Sequence, residues 1–165
     1  MKTYIIKSDE DLKQHEDEYG YHIKGNVEFK YSPVMKGRLL VDGYIQAGWS
    51  IKVGRYIQAG WSIEADGYIQ AEGSIQAGMY IKAGGHIEAG GSIKAGDSYG
   101  ILAGLHITCK RSLTCGLNIY AGICTWRETT DEDKTITCGK LATGNIEYGI
   151  LVETGLETDK LKVEN

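Results

Sequence analysis

Between Leu39 and Ser98 an aliphatic residue returns every sixth position without a slip: Leu39, Ile45, Ile51, Ile57, Ile63, Ile69, Ile75, Ile81, Ile87 and Ile93. Six residues cannot bury an apolar face alone, so a unit this short, repeated ten times, must stack on near copies of itself as a solenoid. A typical unit is Ile45-Gln46-Ala47-Gly48-Trp49-Ser50. In a strand, residues i and i+2 share a face, so Ile and Ala point inward, the residue between them points out, and the last three turn a corner. Two inward residues and a corner per hexad predict a triangular coil of three faces and about eighteen residues. The expected stacks are Ile45 on Ile63 on Ile81, Ile51 on Ile69 on Ile87, and Ile57 on Ile75 on Ile93. The fold class is therefore mainly β, a single-stranded parallel β-helix, expected to be right-handed, with an N-terminal capping helix.

The sixth position alternates, Tyr44, Ser50, Tyr56, Ser62, Tyr68, Ser74, Tyr80. Three corners per coil turn this alternation into large-over-small columns such as Tyr44–Ser62–Tyr80, in which rings pack over hydroxyls. The outward positions stack Gln46–Glu64–Lys82 and Lys52–Gln70–Glu88, each pair giving a few tenths of a kcal/mol. After Ser98 the count slips by two at Tyr99-Gly100 and resumes at Ile101, Ile107, Leu113 and Ile119, which predicts a bulge or short loop. Lys110-Arg111 is the one basic pair on the array.

Three segments follow. Residues 1–38 form a strand, a cap and an irregular first coil: Ser8 can cap a helix over Asp9–Tyr19, Gly20 can stop it, and Leu12 and Tyr19 are its apolar anchors. The hexad β-helix covers 39–124. Residues 125–165 comprise a polar loop and C-terminal capping strands, with Ile136, Leu141, Ile146 and Leu151 recurring every five; the charged tail from Glu157 is expected to lack order.

Twenty-two acids against eighteen bases disfavour direct nucleic-acid binding, which requires many cations on phosphates. No apolar run reaches the ~20 residues that span a bilayer, and residues 1–30 lack a signal-peptide order, so a cytoplasmic protein without a membrane partner is expected. Cys109, Cys115 and Cys138 hold the place of the inward Ala and read as small buried hydrophobes; with no Cys-x-x-Cys pair, neither a metal nor a cofactor is expected.

The array resembles bactofilin-type cytoskeletal cores over residues 39–124, whose hexads also run aliphatic-x-small, and that resemblance implies a self-assembling scaffold. The stretches Ile93-Lys94-Ala95-Gly96 and Ile119-Tyr120-Ala121-Gly122-Ile123-Cys124-Thr125-Trp126-Arg127 look like solenoid proteins of phages and mobile elements of Firmicutes, which implies an inhibitor of a host nucleic-acid-handling or defence system. A hexapeptide acyltransferase is a third alternative, but there the small residue follows the aliphatic by four places, not two, and His86 and His106 fall on corner positions rather than in a catalytic setting. Polysaccharide cleavage would need paired carboxylates, and Asp42, Asp66 and Glu72 fall on three different columns.

No catalytic residue is assigned, and function is expected on exposed anchors. Trp49 and Trp61 hold outward corner sites, and aromatic anchors dominate binding energy at interfaces. The expected partner-binding set is Trp49, Trp61, Arg55, Tyr44, Tyr56 and Tyr68, with Met79 nearby. Asp9, Glu10, Asp11, Glu16, Asp17 and Glu18 form a candidate acidic patch. The sequence thus reads as a non-enzymatic, monomeric or homodimeric β-helix that binds a protein.

Overall fold

The computed structural model describes residues 1–156. Its chain begins with β1 (Thr3–Ile6), α1 (Asp9–Lys13), β2 (Glu16–Asp17), β3 (Gly20–Ile23), β4 (Asn26–Phe29), β5 (Val34–Met35) and β6 (Arg38–Val41). The regular array follows as β7 (Ile45–Ala47), β8 (Ile51–Val53), β9 (Ile57–Ala59), β10 (Ile63–Ala65), β11 (Ile69–Ala71), β12 (Ile75–Ala77), β13 (Ile81–Ala83), β14 (Ile87–Ala89) and β15 (Ile93–Lys94). Beyond the two-residue insertion come β16 (Ile101–Ala103), β17 (Ile107–Cys109), β18 (Ser112–Ala121), β19 (Thr135–Cys138), β20 (Lys140–Tyr148) and β21 (Ile150–Glu153).

Every third strand stacks in parallel register, which makes a prism with three faces. Face 1 holds β1, β4, β7, β10, β13, β16 and the second half of β18; face 2 holds β5, β8, β11, β14, β17, β19 and β21; face 3 holds β3, β6, β9, β12, β15 and the first half of β18. The ladders are those expected: Ile45, Ile63 and Ile81 are in register, as are Ile51, Ile69 and Ile87, and Leu39, Ile57, Ile75 and Ile93. The insertion lies in the turn at 97–98 and changes the step to Ile81–Ile101 and Ile87–Ile107 without disturbing the faces. Every Ile of the array is closed to solvent, as are the inward Ala and the three inward Cys.

The corners are where backbones approach most closely. A Cβ on Gly78 would run into the carbonyl oxygen of Gly60, and one on Gly84 into that of Asp66, so glycine lets consecutive corners stack at strand spacing. The corner serines bridge coils: Ser50 Oγ accepts from Tyr68 N at 3.1 Å, Ser74 Oγ from Ser92 N at 3.0 Å, and Ser92 Oγ from Ser112 N at 3.3 Å. They supply acceptors to corner N–H groups that would otherwise be short of partners.

Two expectations need correction. The N-terminal helix is short: α1 ends at Lys13, and Glu16–Asp17 turns back to pair antiparallel with Gly20–Tyr21. Its start is as expected, with Ser8 Oγ accepting from Asp11 N at 3.3 Å and Asp11 Oδ2 accepting from Lys7 N at 2.9 Å. Leu12 is its only buried residue; an eleven-residue helix here would have no apolar stripe to bury, whereas β2 pairs the free edge of β3. Gly20 is accordingly no helix stop. It takes φ +143° where the backbone of Arg38 crosses it, and Tyr19, expected as an anchor, is exposed.

The second correction concerns ring packing. On the edge between faces 1 and 2, Tyr68, His86 and His106 stack directly, with centroids 4.9 Å apart and planes tilted by 4° and 2°. Rings in successive coils are therefore not separated by hydroxyls there; coil spacing alone gives a comfortable stacking distance. At the C-terminus β19, β20 and β21 continue the three faces in parallel register. The tail from Glu157 lies outside the described residues.

Candidate functional site

A hexad step moves the chain to the next corner, so neighbouring hexads point in different directions. Trp49 and Tyr68 lie on the edge between faces 1 and 2, Trp61 and Tyr44 on the edge between faces 3 and 1, and Arg55 and Tyr56 on the edge between faces 2 and 3. Face 1 is thus bounded on both sides by a tryptophan. Trp49 is 66 % exposed and Trp61 45 %. Arg55 and Tyr56 are on the opposite side of the prism and do not share this surface.

Backbone stacking explains each tryptophan's projection. Gly67 N donates to Trp49 O at 3.2 Å and Gly85 N to Gly67 O at 2.9 Å, so the next two coils carry no side chain at this corner and leave a shelf beside the Trp49 ring, up to Leu105. Trp61 sits between Gly43 and Met79 in the same kind of ladder, with N–H···O distances of 3.1 Å on both sides. Tyr44, Gln46, Trp61, Ser62, Glu64, Met79 and Tyr80 line a groove of about 300 Å³.

The polar floor of face 1 is organised around two carboxylates. Glu28 accepts from Lys30 Nζ at 2.9 Å and from the Tyr44 hydroxyl at 3.3 Å; Glu64 accepts from Lys82 Nζ at 2.9 Å and from the Tyr80 hydroxyl at 3.2 Å. The Lys30 hydrogen bond holds the Glu28 carboxyl below its ordinary range, and Glu64 raises Lys82. Both tyrosines are therefore oriented before any partner arrives. Further exposed apolar residues extend the face: Ile5 on β1, Leu117 within β18, Ile123 on the edge between faces 1 and 2, and Tyr148 at the end of β20. Tyr80, Leu117 and Ile123 are absent from the sequence-derived set, although counting in steps of eighteen, with the two-residue insertion, places them.

A larger groove of about 560 Å³, lined by Arg55, Tyr56, Gln58, Glu72, Gly73, Ser74 and Gln76, lies at the opposite edge. Tyr56 is half-buried there and its hydroxyl accepts from Arg38 Nη1 at 3.2 Å.

The acidic residues do not act as one patch. Asp9 accepts from the Tyr31 hydroxyl at 2.8 Å, Asp11 caps the turn before α1, and Asp17 accepts from Arg38 Nη2 at 2.6 Å and from Tyr19 N at 2.8 Å. Glu10, Glu16 and Glu18 project into solvent, from α1, from β2 and from the turn after it.

Chemistry-bearing groups are dispersed. No three His, Cys, Asp or Glu side chains gather as metal ligands among the described residues. Burial pushes the Cys109 thiol up to about 12 and the Cys138 thiol to about 11, which makes them inert at neutral pH. His86 lies in the Tyr68–His106 stack, where burial first and His106 second lower its pKa. No described helix is long and apolar enough to cross a membrane. The chain matches no protein-family profile, no curated protein and no solved structure.

Proposed function

We propose that the protein is a non-catalytic binding module whose face 1 docks a protein partner, with Trp49 and Trp61 as anchors and Tyr44 and Tyr68 beside them. The observation that carries this reading is the pair of exposed tryptophans on the two margins of one flat, rigid sheet. Large aromatic side chains on a preordered surface give much contact area at little entropic cost, which is why they dominate binding hot spots. Arg55 and Tyr56, from the sequence-derived set, are left out because they face the other way. The narrower role of inhibiting a host nucleic-acid-handling or defence system rests only on the resemblance of residues 93–96 and 119–127 to mobile-element solenoid proteins.

The test is affinity capture with the wild-type chain, Trp49→Ala/Trp61→Ala and Arg55→Ala as baits. A partner retained by wild type and Arg55→Ala but lost by the double tryptophan variant supports the reading. Equal capture by all three overturns it.

A second reading, a self-assembling scaffold, is favoured by the exposure of Ile150, Leu151 and Val152 on the last strand. Light scattering across a concentration range separates the two. A fixed mass of one or two chains supports the docking module, and a mass that grows with concentration supports the scaffold.

A further inference from the structure

The prism edge opposite face 1, between faces 2 and 3, carries a different chemistry. Its outermost column runs Arg55, Gly73, Gly91, Arg111, Lys140 in one backbone ladder: Gly73 N donates to Arg55 O at 2.6 Å, Gly91 N to Gly73 O at 3.0 Å, Arg111 N to Gly91 O at 3.2 Å, and Lys140 N to Arg111 O at 3.1 Å. Lys36 and Lys110 stand in the column beside it, as the close approaches of Gly54 to Lys36 O and Gly139 to Lys110 O show. Lys52 on β8 and Lys94 on β15 flank the edge. All seven side chains are exposed, and none has a carboxylate within ion-pairing distance among the described residues.

Five acids lie nearby. Glu72 lies on the edge itself, between Lys36 and Lys110; Asp17, paired with Arg38 at 2.6 Å, and Glu18 lie at its Lys36 end; on face 2, Glu88 accepts from Gln70 at 3.4 Å and Glu153 accepts from Leu141 N at 2.7 Å. The chain's net charge of −4 therefore conceals a local excess of bases along the back edge, from Arg55 to Lys140. Charges farther apart than about 8 Å are largely screened at physiological salt, so this local arrangement outweighs the net value.

Five coil steps separate Lys36 from Lys140, a straight row of about 24 Å. That length covers about seven base-pair steps of a duplex, at about 3.4 Å of axis each, so a straight edge laid along it meets phosphates of both strands as they wind past. Two features select a charged backbone over an acidic protein or a single strand. From Lys36 to Lys140 the edge presents none of the exposed large apolar residues, so a protein partner would find no hot-spot anchor. Of its two aromatic rings, Tyr56 is half-buried and tied to Arg38, and Tyr19, beyond the Lys36 end, lies against the same guanidinium, so unstacked bases would find no row of stacking platforms along the edge. The bare Gly73 and Gly91 corners let a duplex approach along the edge without a clash.

We infer that this edge binds the phosphodiester backbone of a nucleic-acid duplex without reading its sequence, independently of the surface on face 1. The experiment is fluorescence anisotropy with labelled 24-base-pair duplexes, DNA and RNA as separate arms, titrated with the full chain from 25 to 200 mM salt. One phosphate contact from each of the five cations on the edge itself, Lys36, Arg55, Lys110, Arg111 and Lys140, gives a log–log salt slope of about −4 to −5. Lys110→Ala/Arg111→Ala should reduce that slope by about 2 and weaken binding at low salt at least tenfold, and Arg55→Glu should weaken it further. These side chains are exposed, so an unchanged circular dichroism spectrum and melting curve establish that the variants fold. Trp49→Ala/Trp61→Ala should bind the duplex as wild type does. No binding to either duplex at 25 mM salt overturns the inference, as does binding that survives the charge substitutions or is lost with the tryptophans. Preference for a single strand of the same length overturns it too, since bases would then be in contact.

Discussion

Ile69 offers the sharpest test of the ladder as the source of stability. It lies in the interior of face 2, in register with Ile51 and Ile87 and closed to solvent. Ile69→Ala removes three buried carbons, about 2.4 kcal/mol of transfer free energy at roughly 0.8 kcal/mol each. The void cannot close easily, because Ile51 and Ile87 are held at strand spacing by backbone ladders above and below; a residual cavity of about 40 Å³ adds about 1 kcal/mol. The expected loss is thus about 3 to 4 kcal/mol. Leu141→Ala is the matched control. Leu141 belongs to the last coil, where it pairs with Leu113 on one side and is only partly buried, so its truncation should cost about 1 to 1.5 kcal/mol. Urea unfolding followed by far-ultraviolet circular dichroism reads both from the midpoint and slope. An interior defect also weakens the coupling between the two halves of a one-dimensional array, so a reduced slope or a populated intermediate in Ile69→Ala alone is expected. Equal losses at the two sites, or a loss below about 1 kcal/mol at Ile69 with an unchanged slope, would refute the view that stacked, fully closed Ile residues carry the fold.

Other outcomes follow from the corners and the buried thiols. Ser92→Ala should destabilise by about 1 kcal/mol, since it removes the acceptor for Ser112 N; a melting temperature within error of wild type counts against the corner serines as bridges. Of the four cysteines, only the partly exposed Cys124 should react with a thiol reagent in the native protein at pH 8, and all four after denaturation, because Cys109, Cys115 and Cys138 are buried; prompt modification of two or more in the native state contradicts the closed core. His86 has a folded pKa below its ordinary 6.5, so the unfolded chain binds the extra proton first and stability declines as pH falls below about 6.5. The midpoint of urea unfolding should therefore drop between pH 7 and 5.5, and His86→Gln should flatten that drop; an identical pH dependence in the variant refutes the assignment.

The array was legible because each buried position is decided by two short-range facts, strand alternation and the need for a close corner. The periodicity of Leu39 to Ile93 sufficed to place every stacked pair between those residues, and even the two-residue slip, read at Tyr99-Gly100 and found in the turn at 97–98, left the faces intact, since a corner can absorb extra residues without shifting a strand's inward set. The N-terminal segment was less legible. Asp9 to Tyr19 has helical caps and acidic first-turn residues, but whether those residues stay helical depends on what else can use them. The free edge of β3 competes for the same backbone and wins beyond Lys13.

Sequence alone determined the period, the inward ladders, the small-residue role of the cysteines and the exposure of Trp49 and Trp61. It did not decide which exposed residues meet. Residues six apart point 120° away from one another, and residues eighteen or twenty apart become neighbours, so Trp49 and Arg55 share a stretch of chain yet stand on different edges of the prism. Tertiary stacking alone sorted the surface into an aromatic face and a basic edge, because lateral proximity in a solenoid is set by the winding of the coils and not by distance along the chain.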